Sequence, residues 1–154
     1  MADKSIVIYK GERRLFLMDG EDVVNEFRIV LGRCPEGTKE TEGDGKTPEG
    51  DFYIALKNPK SKYHLSLALS YPTPIDAERG LADGLITPAD HEAILDAHLR
   101  LTLPPQKTRL GGEIYIHGGG IEKDWTRGCI ASANTDMDLI YEFAEKAMPV
   151  QILP

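Results

Sequence analysis

A chain of 154 residues is long enough for one domain with a substantial core, whereas two cores sharing that length would each be marginal. Its 25 acidic and 18 basic side chains leave a net charge of -7, which argues against a sequence-independent grip on nucleic acid phosphates or other polyanions. The content of 41% hydrophobic and 28% charged residues is ordinary for a globular protein, and no apolar run nears the roughly 20 residues that cross a bilayer.

The opening Met-Ala-Asp-Lys-Ser-Ile-Val-Ile-Tyr-Lys alternates like a short strand and lacks the roughly 7 to 15 residue apolar stretch of a secretory signal. Strands are expected at Ser5 to Tyr9, Arg14 to Met18 and Val23 to Leu31, rich in β-branched and aromatic residues and separated by the turns Lys10-Gly11 and Asp19-Gly20. The pattern is a meander. From Gly32 to Gly50 the chain turns polar and glycine-rich, and extended character resumes at Asp51 to Leu56. Gly45-Lys46-Thr47 is no phosphate-binding loop, because Glu40 stands where that motif needs its first glycine and Pro48 follows where a helix must begin. Lys57, Lys60 and Lys62 read as a solvated loop.

His64 to Tyr71 is a further strand, ended by Pro72 and Pro74, with His64 itself structural or exposed. Thr87 as cap, Pro88 at the first helical position, Asp90 and Glu92 in the first turn and apolar Ile94, Leu95 and Leu99 predict a helix over about residues 88 to 100. His91-Glu92 lacks the second histidine of a metalloprotease helix, since Leu95 occupies its place, so His91 and His98 read as surface residues. Gly111 to Ile116 returns to strand. Asn134 is expected to cap a second helix, whose Met137, Ile140, Tyr141, Ala144 and Met148 share one face, and Val150 to Leu153 forms a closing strand. The architecture is therefore mainly β (α+β), with two helices.

Chemistry concentrates in Ile114-Tyr115-Ile116-His117-Gly118-Gly119-Gly120 and Asp124-Trp125-Thr126-Arg127-Gly128-Cys129-Ile130-Ala131. A histidine at a strand end and a cysteine beside glycine form a base and nucleophile pair. A cysteine attacks as thiolate, and a nearby imidazole together with Arg127 would lower its pKa from about 8.5. Gly128 allows close backbone approach to a substrate, and the successive amides of Arg127, Gly128 and Cys129 are candidate oxyanion donors. Against this stands the fact that free cysteine is often simply a buried small hydrophobe. Cys34 and Cys129 form no Cys-x-x-Cys pair, so neither zinc nor a redox motif is signalled, and a disulfide between them would silence the nucleophile.

Over nearly its whole length the sequence resembles the L,D-transpeptidase (YkuD-type) catalytic domain of bacterial cell-wall enzymes. The family's Gly-Asp-x-x-Thr-Pro-x-Gly stretch is matched by Gly43-Asp44-Gly45-Lys46-Thr47-Pro48-Glu49-Gly50, its Tyr-Pro by Tyr71-Pro72, its Ile-His-Gly by Ile116-His117-Gly118, and its Ser/Thr-His-Gly-Cys by Thr126-Arg127-Gly128-Cys129. The resemblance implies a YkuD-like β-sandwich of mixed sheets, a single catalytic domain over residues 1–154, Cys129 as nucleophile, His117 as base and the Gly118 carbonyl as the group that orients the imidazole. Oxyanion donors fall near Gly128 and Cys129, and Thr126 supports the loop. Trp125 and Tyr71 are candidates to line the donor groove, each weighed against simple packing.

Two departures from the family pattern stand out. Arg127 replaces the usual histidine, losing a possible proton relay, and Ala131 replaces a usual arginine or asparagine, removing a polar contact that a bidentate Arg127 would restore. The spacing from His117 to Cys129 is also short, and the Asp-Trp-Thr-x-Gly-Cys-Ile-Ala variant marks a branch that includes hydrolytic members. The implied reaction is acyl transfer from a peptidoglycan stem peptide through a thioester at Cys129, with no metal or organic cofactor. Its rivals are a hydrolytic peptidase or amidase and a non-catalytic wall-binding module. A monomer is expected, in the cell envelope or periplasm if an export leader lies outside these residues, and in the cytoplasm if the native chain starts at Met1.

Overall fold

The computed structural model describes residues 3–154; Met1 and Ala2, which open the stretch read for a secretory signal, lie outside the described residues. Strands β1 (Lys4–Tyr9), β2 (Arg14–Asp19) and β3 (Asp22–Arg28) form the expected antiparallel meander. Alternation explains which face is covered: Ile6, Ile8, Leu15, Leu17 and Phe27 are buried, while their neighbours in sequence point outward. The closing strand β8 (Pro149–Leu153) lies parallel to β1 and antiparallel to β4 (Gly50–Ser61), so the two ends of the chain meet at the centre of the sheet.

The twelve-residue strand β4 serves both halves of the architecture. Gly50 to Tyr53 pair with β8, an irregularity follows between Ile54 and Leu56, and the remainder pairs with β5 (His64–Leu69). Such a register shift bends a strand and lets it leave one sheet for another. Beyond β5 come β6 (Tyr115–His117) and β7 (Ile130–Ala131), giving the order β3-β2-β1-β8-β4-β5-β6-β7. One apolar cluster draws Ile6, Leu15 and Val150 from one half and Leu67, Ile116 and Ile130 from the other, with Met137 and Ile140 from the last helix closing over it.

Among the described residues three helices are present where two are expected from the sequence. The additional one, α1 (Pro74–Ala82), begins with Thr73-Pro74-Ile75-Asp76, a capping box with proline at its first position. The same device opens α2 (Pro88–Arg100) at Thr87-Pro88-Ala89-Asp90, the helix that the sequence predicts. Here Pro72 and Pro74 mark the end of a strand and also the start of a helix. The two helices pack around Ala77, Ile86, Ile94 and Leu110, and Gly80 lets Leu110 sit close against α1, since a Cβ there would lie 2.9 Å from the Leu110 side chain and make it shift.

Asn134 does not cap α3 (Asn134–Phe143); the cap position is Ala133, which makes no side-chain cap bond, and Asn134 Oδ1 instead accepts the Gly119 amide at 2.9 Å. The other end of α3 is closed by Lys57, expected in a solvated loop, whose Nζ donates to the carbonyls of Tyr141 and Ala144 at 2.8 Å and sits 4.3 Å from the Tyr141 ring centre. A cation at a helix C-terminus satisfies orphan carbonyls and complements the dipole. His98 likewise departs from the surface reading: it is half-buried, its Nε2 lies 2.8 Å from the Pro72 carbonyl, and its ring packs edge-on to Tyr53.

Candidate active site

The two shortest strands bring the candidate pair together. β6 and β7 run parallel with Ile116 opposite Ile130 and His117 opposite Ala131. Cys129 is two residues before Ala131, so strand alternation points its side chain to the same face as Tyr115 and His117. That face forms the wall of an open cleft of about 950 Å³, lined by His117, Cys129, Trp125 and Arg127 together with Arg33 and Lys39.

His117 is buried and tightly framed. Its Nδ1 lies 2.5 Å from the Gly118 carbonyl, which fixes Nδ1 as the protonated nitrogen and leaves Nε2 as the acceptor in the neutral ring. Burial holds its pKa below the ordinary imidazole value, while the hydrogen bond to Gly118 works in the other direction. Tyr63 stacks on the imidazole at 4.8 Å with an interplanar angle of 25°, and its carbonyl accepts the Gly118 amide at 2.9 Å. A Cβ at position 118 would lie 2.4 Å from Asn134 Oδ1, so only glycine fits between these groups. Trp125 stands edge-on to both rings and donates its indole N–H to the Gly120 carbonyl at 3.1 Å.

The cysteine loop is shaped by Thr126. This buried hydroxyl donates to the Cys129 carbonyl at 2.7 Å and accepts the Gly128 amide at 3.1 Å, so that amide is already engaged and leaves the set of free oxyanion donors. Gly128 holds φ +136° with the Lys46 carbonyl 2.7 Å from where a Cβ would be, which excludes any other residue. Lys46 belongs to the Gly43–Gly50 stretch, ordered by Asp44, whose carboxylate accepts the amides of Glu40, Thr41 and Lys46 at 2.8 to 3.1 Å. Burial works against the Asp44 charge, yet these amides and Lys39 hold its carboxyl below the usual range. Thr47, fully buried, accepts the Gly32 amide at 3.0 Å and fastens the stretch to the sheet.

The resting thiol departs from expectation. The Cys129 S–H donates to the Glu113 carbonyl at 3.2 Å, and the Tyr115 amide donates to the sulfur at 3.4 Å. Burial pushes its pKa up to about 11; the Tyr115 amide and the charge of Lys39 pull the other way, and the Glu113 carboxylate adds to the rise. Among the described residues no hydrogen bond joins Cys129 to His117, and Arg127 is exposed and contributes nothing that lowers the thiol. Both candidates thus face one cleft as neutral groups, with the sulfur turned toward Glu113.

Tyr71 is not in the cleft. It is 0% exposed, with its hydroxyl donating to the Leu110 carbonyl at 2.7 Å, so it is a packing residue of the main apolar cluster. Residues that the sequence did not single out include Tyr63, Lys39 and Glu113. Lys39 is 2% exposed, ion-paired to Asp44 at 3.0 Å, and its nearest sequence signal is the Gly-Asp stretch that it supports. Tyr63 and Glu113 carry none, because one acts through ring stacking and the other through a backbone carbonyl held at φ +56°. Cys34, also on the cleft wall, is an exposed free thiol.

A mixed sheet carrying a thiol and an imidazole on one wall of an open cleft defines a class of cysteine and histidine domains. Within it, this chain belongs to the YkuD family, the L,D-transpeptidase catalytic domain, whose model matches residues 3–152. No curated protein matches the sequence. Among solved structures, the helical cell shape determining protein Pgp2 of Campylobacter jejuni superposes with a TM-score of 0.65 at 23% identity, covering 99% of this chain and 49% of the other. Bd1075 of Bdellovibrio bacteriovorus gives 0.63 at 19% identity, with 99% and 48% covered. L,D-transpeptidase 1 of Mycobacterium tuberculosis gives 0.59 at 10% identity, with 99% and 62% covered. At these identities the likeness is one of fold, and the chain spans about half to three-fifths of those proteins.

Proposed function

We propose that this domain catalyses cysteine-dependent acyl transfer on peptidoglycan stem peptides. The observation that carries the reading is the shared face of β6 and β7, which turns His117 and Cys129 into one cleft large enough for a peptide. Family membership supports the substrate class. Rotation of the Cys129 side chain away from the Glu113 carbonyl brings sulfur toward His117 Nε2, which takes the thiol proton. The thiolate attacks the carbonyl of the third stem residue, the C–N bond breaks, and the imidazolium gives its proton to the departing amine of the terminal D-residue. An amine acceptor then resolves the thioester, and water in its place makes the same site a hydrolase.

Gly118 orients the base, the Cys129 amide meets the developing oxyanion in place of the engaged Gly128 amide, and Thr126 holds the loop. Arg127 and Trp125 contact the donor peptide. The chemistry calls for no metal or organic cofactor, the natural setting of the substrate is the cell envelope or periplasm, and the domain acts as a monomer over its whole length. No helix of the described residues is long and apolar enough to cross a membrane.

The test is digestion of purified sacculi and defined muropeptides by the wild type and Cys129→Ala, with and without an added amine, read by product mass. Exchange of the amine into product supports transfer, hydrolysis alone assigns the domain to the peptidases, and wild-type binding without turnover assigns it to wall recognition. Turnover retained by Cys129→Ala would remove the nucleophile.

A further inference from the structure

Two arginines flank the cysteine loop, Arg127 within it and Arg33 on the segment beside it. Gly32 pairs in parallel with Thr126, and the Arg33 amide donates to the Thr126 carbonyl at 3.0 Å. The two backbones approach so closely that a Cβ on Gly32 would lie 3.0 Å from both Cα and N of Gly128. Arg33 and Arg127 each stand one residue beyond that bridge, and both line the cleft and are exposed. Arg33 Nε reaches only the Trp125 carbonyl, at 3.5 Å, and among the described residues neither guanidinium is paired with a carboxylate.

In a chain with seven more acidic than basic side chains, this pairing of unpartnered cations is unexpected. Like charges opposite one another on paired backbone repel, and an opposite charge beside them would offset that cost. Of the carboxylates that share the cleft, Asp44 pairs with Lys39 at 3.0 Å and Glu113 with Lys107 at 3.3 Å, and Glu42 pairs with neither arginine. Two planar donor forks on one wall match a carboxylate, whose oxygens accept in bidentate fashion.

Building on the acyl-transfer reading above, we propose that Arg33 and Arg127 form a carboxylate subsite beside Cys129, selecting donors whose departing residue bears a free α-carboxylate. The α-carboxylate of that residue hangs from the carbon next to the scissile nitrogen, within about one residue length (~3.5 Å) of the bond under attack. Arg127 lies two positions from the nucleophile, and Arg33 joins it across the Gly32 bridge. Donors in which the same residue is amidated, or continues into a longer chain, leave both guanidinium groups facing no anion and are discriminated against.

The experiment compares two stem tetrapeptides that differ only at the last residue, one ending in carboxylate and one in carboxamide, with wild type, Arg33→Gln, Arg127→Gln and the double variant. Wild type should favour the carboxylate donor by roughly tenfold to a hundredfold in kcat/KM. In each single variant the ratio should fall, and in the double variant it should approach one, with Arg33→Lys intermediate because it keeps charge without the fork. The thermal midpoint of each variant, compared with wild type, reports on folding. Equal use of both donors by wild type, or a ratio unchanged in the double variant, overturns the subsite. If wild type turns over neither donor and intact mass shows no thioester on Cys129, acyl transfer itself has failed.

Discussion

A thiol held near pKa 11 and an imidazole held below its ordinary value make an inert resting pair. In a Cys34→Ser background, alkylation of Cys129 by iodoacetamide should be slower than that of a free model thiol at pH 7 and should accelerate as pH rises toward 11. Faster labelling than the model thiol at neutral pH would show an activated thiolate that the resting geometry does not contain. Slow labelling does not by itself argue against catalysis, because the sulfur must first leave the Glu113 carbonyl. Tyr63 keeps water from the imidazole, so Tyr63→Ala should let the His117 pKa rise toward ~6.5, shifting the acid limb of kcat/KM to higher pH. Tyr63→Phe preserves the stacking and should keep the wild-type profile; an identical shift in both variants would assign the effect to the hydroxyl.

At the scale of elements, the site depends on very short strands. β6 has three residues and β7 two, so their pairing is borrowed from β5 on one side and from the isolated Val30–Ala131 bridge on the other. The helical pair stands apart from this construction, with its own small apolar cluster and two capping boxes of one design. Thr73→Ala and Thr87→Ala should each cost about 1 kcal/mol in urea unfolding while leaving turnover unchanged. That α2 was legible and α1 was not follows from length and context: α2 offers thirteen residues with apolar periodicity, whereas α1 has nine and starts at Pro74, two positions after Pro72, in a stretch whose prolines read as strand terminators.

For the whole molecule, Asp124 ties the halves of the fold to the cysteine loop. Its carboxylate accepts from Arg13 at 3.2 and 2.8 Å, in the β1–β2 turn, and from the Leu31 amide at 2.9 Å. Burial opposes its charge, but the Arg13 bonds, the Leu31 amide and the Arg13 charge together hold its carboxyl below the usual range. Asp44 and Asp124 therefore stabilise the fold fully above the unfolded value near ~3.9, and that contribution is lost as pH falls through their depressed folded values. His117 acts at higher pH: because the folded state disfavours the imidazolium, stability should begin to decline below ~6.5 and continue to fall until the depressed folded value is passed. The thermal midpoint should accordingly fall as pH drops below about 6.5 in wild type, and this part of the slope should flatten in His117→Gln. An equal slope in both proteins would place the titrating group elsewhere.

The sequence by itself determined the strands of the meander, the helix at Pro88–Arg100, the ordered Gly43–Gly50 stretch and the segments that hold His117 and Cys129, because alternation, caps and glycine turns are local properties. Only the tertiary structure decided what those side chains meet. Tyr71 went inward and Tyr63 onto the imidazole, Lys57 closed a helix more than eighty positions away, Thr126 took the Gly128 amide, and Arg33 came to stand beside Arg127. Each of these depends on which strands become neighbours and on how far burial strips a polar group of water, and neither quantity is written in any local stretch of chain.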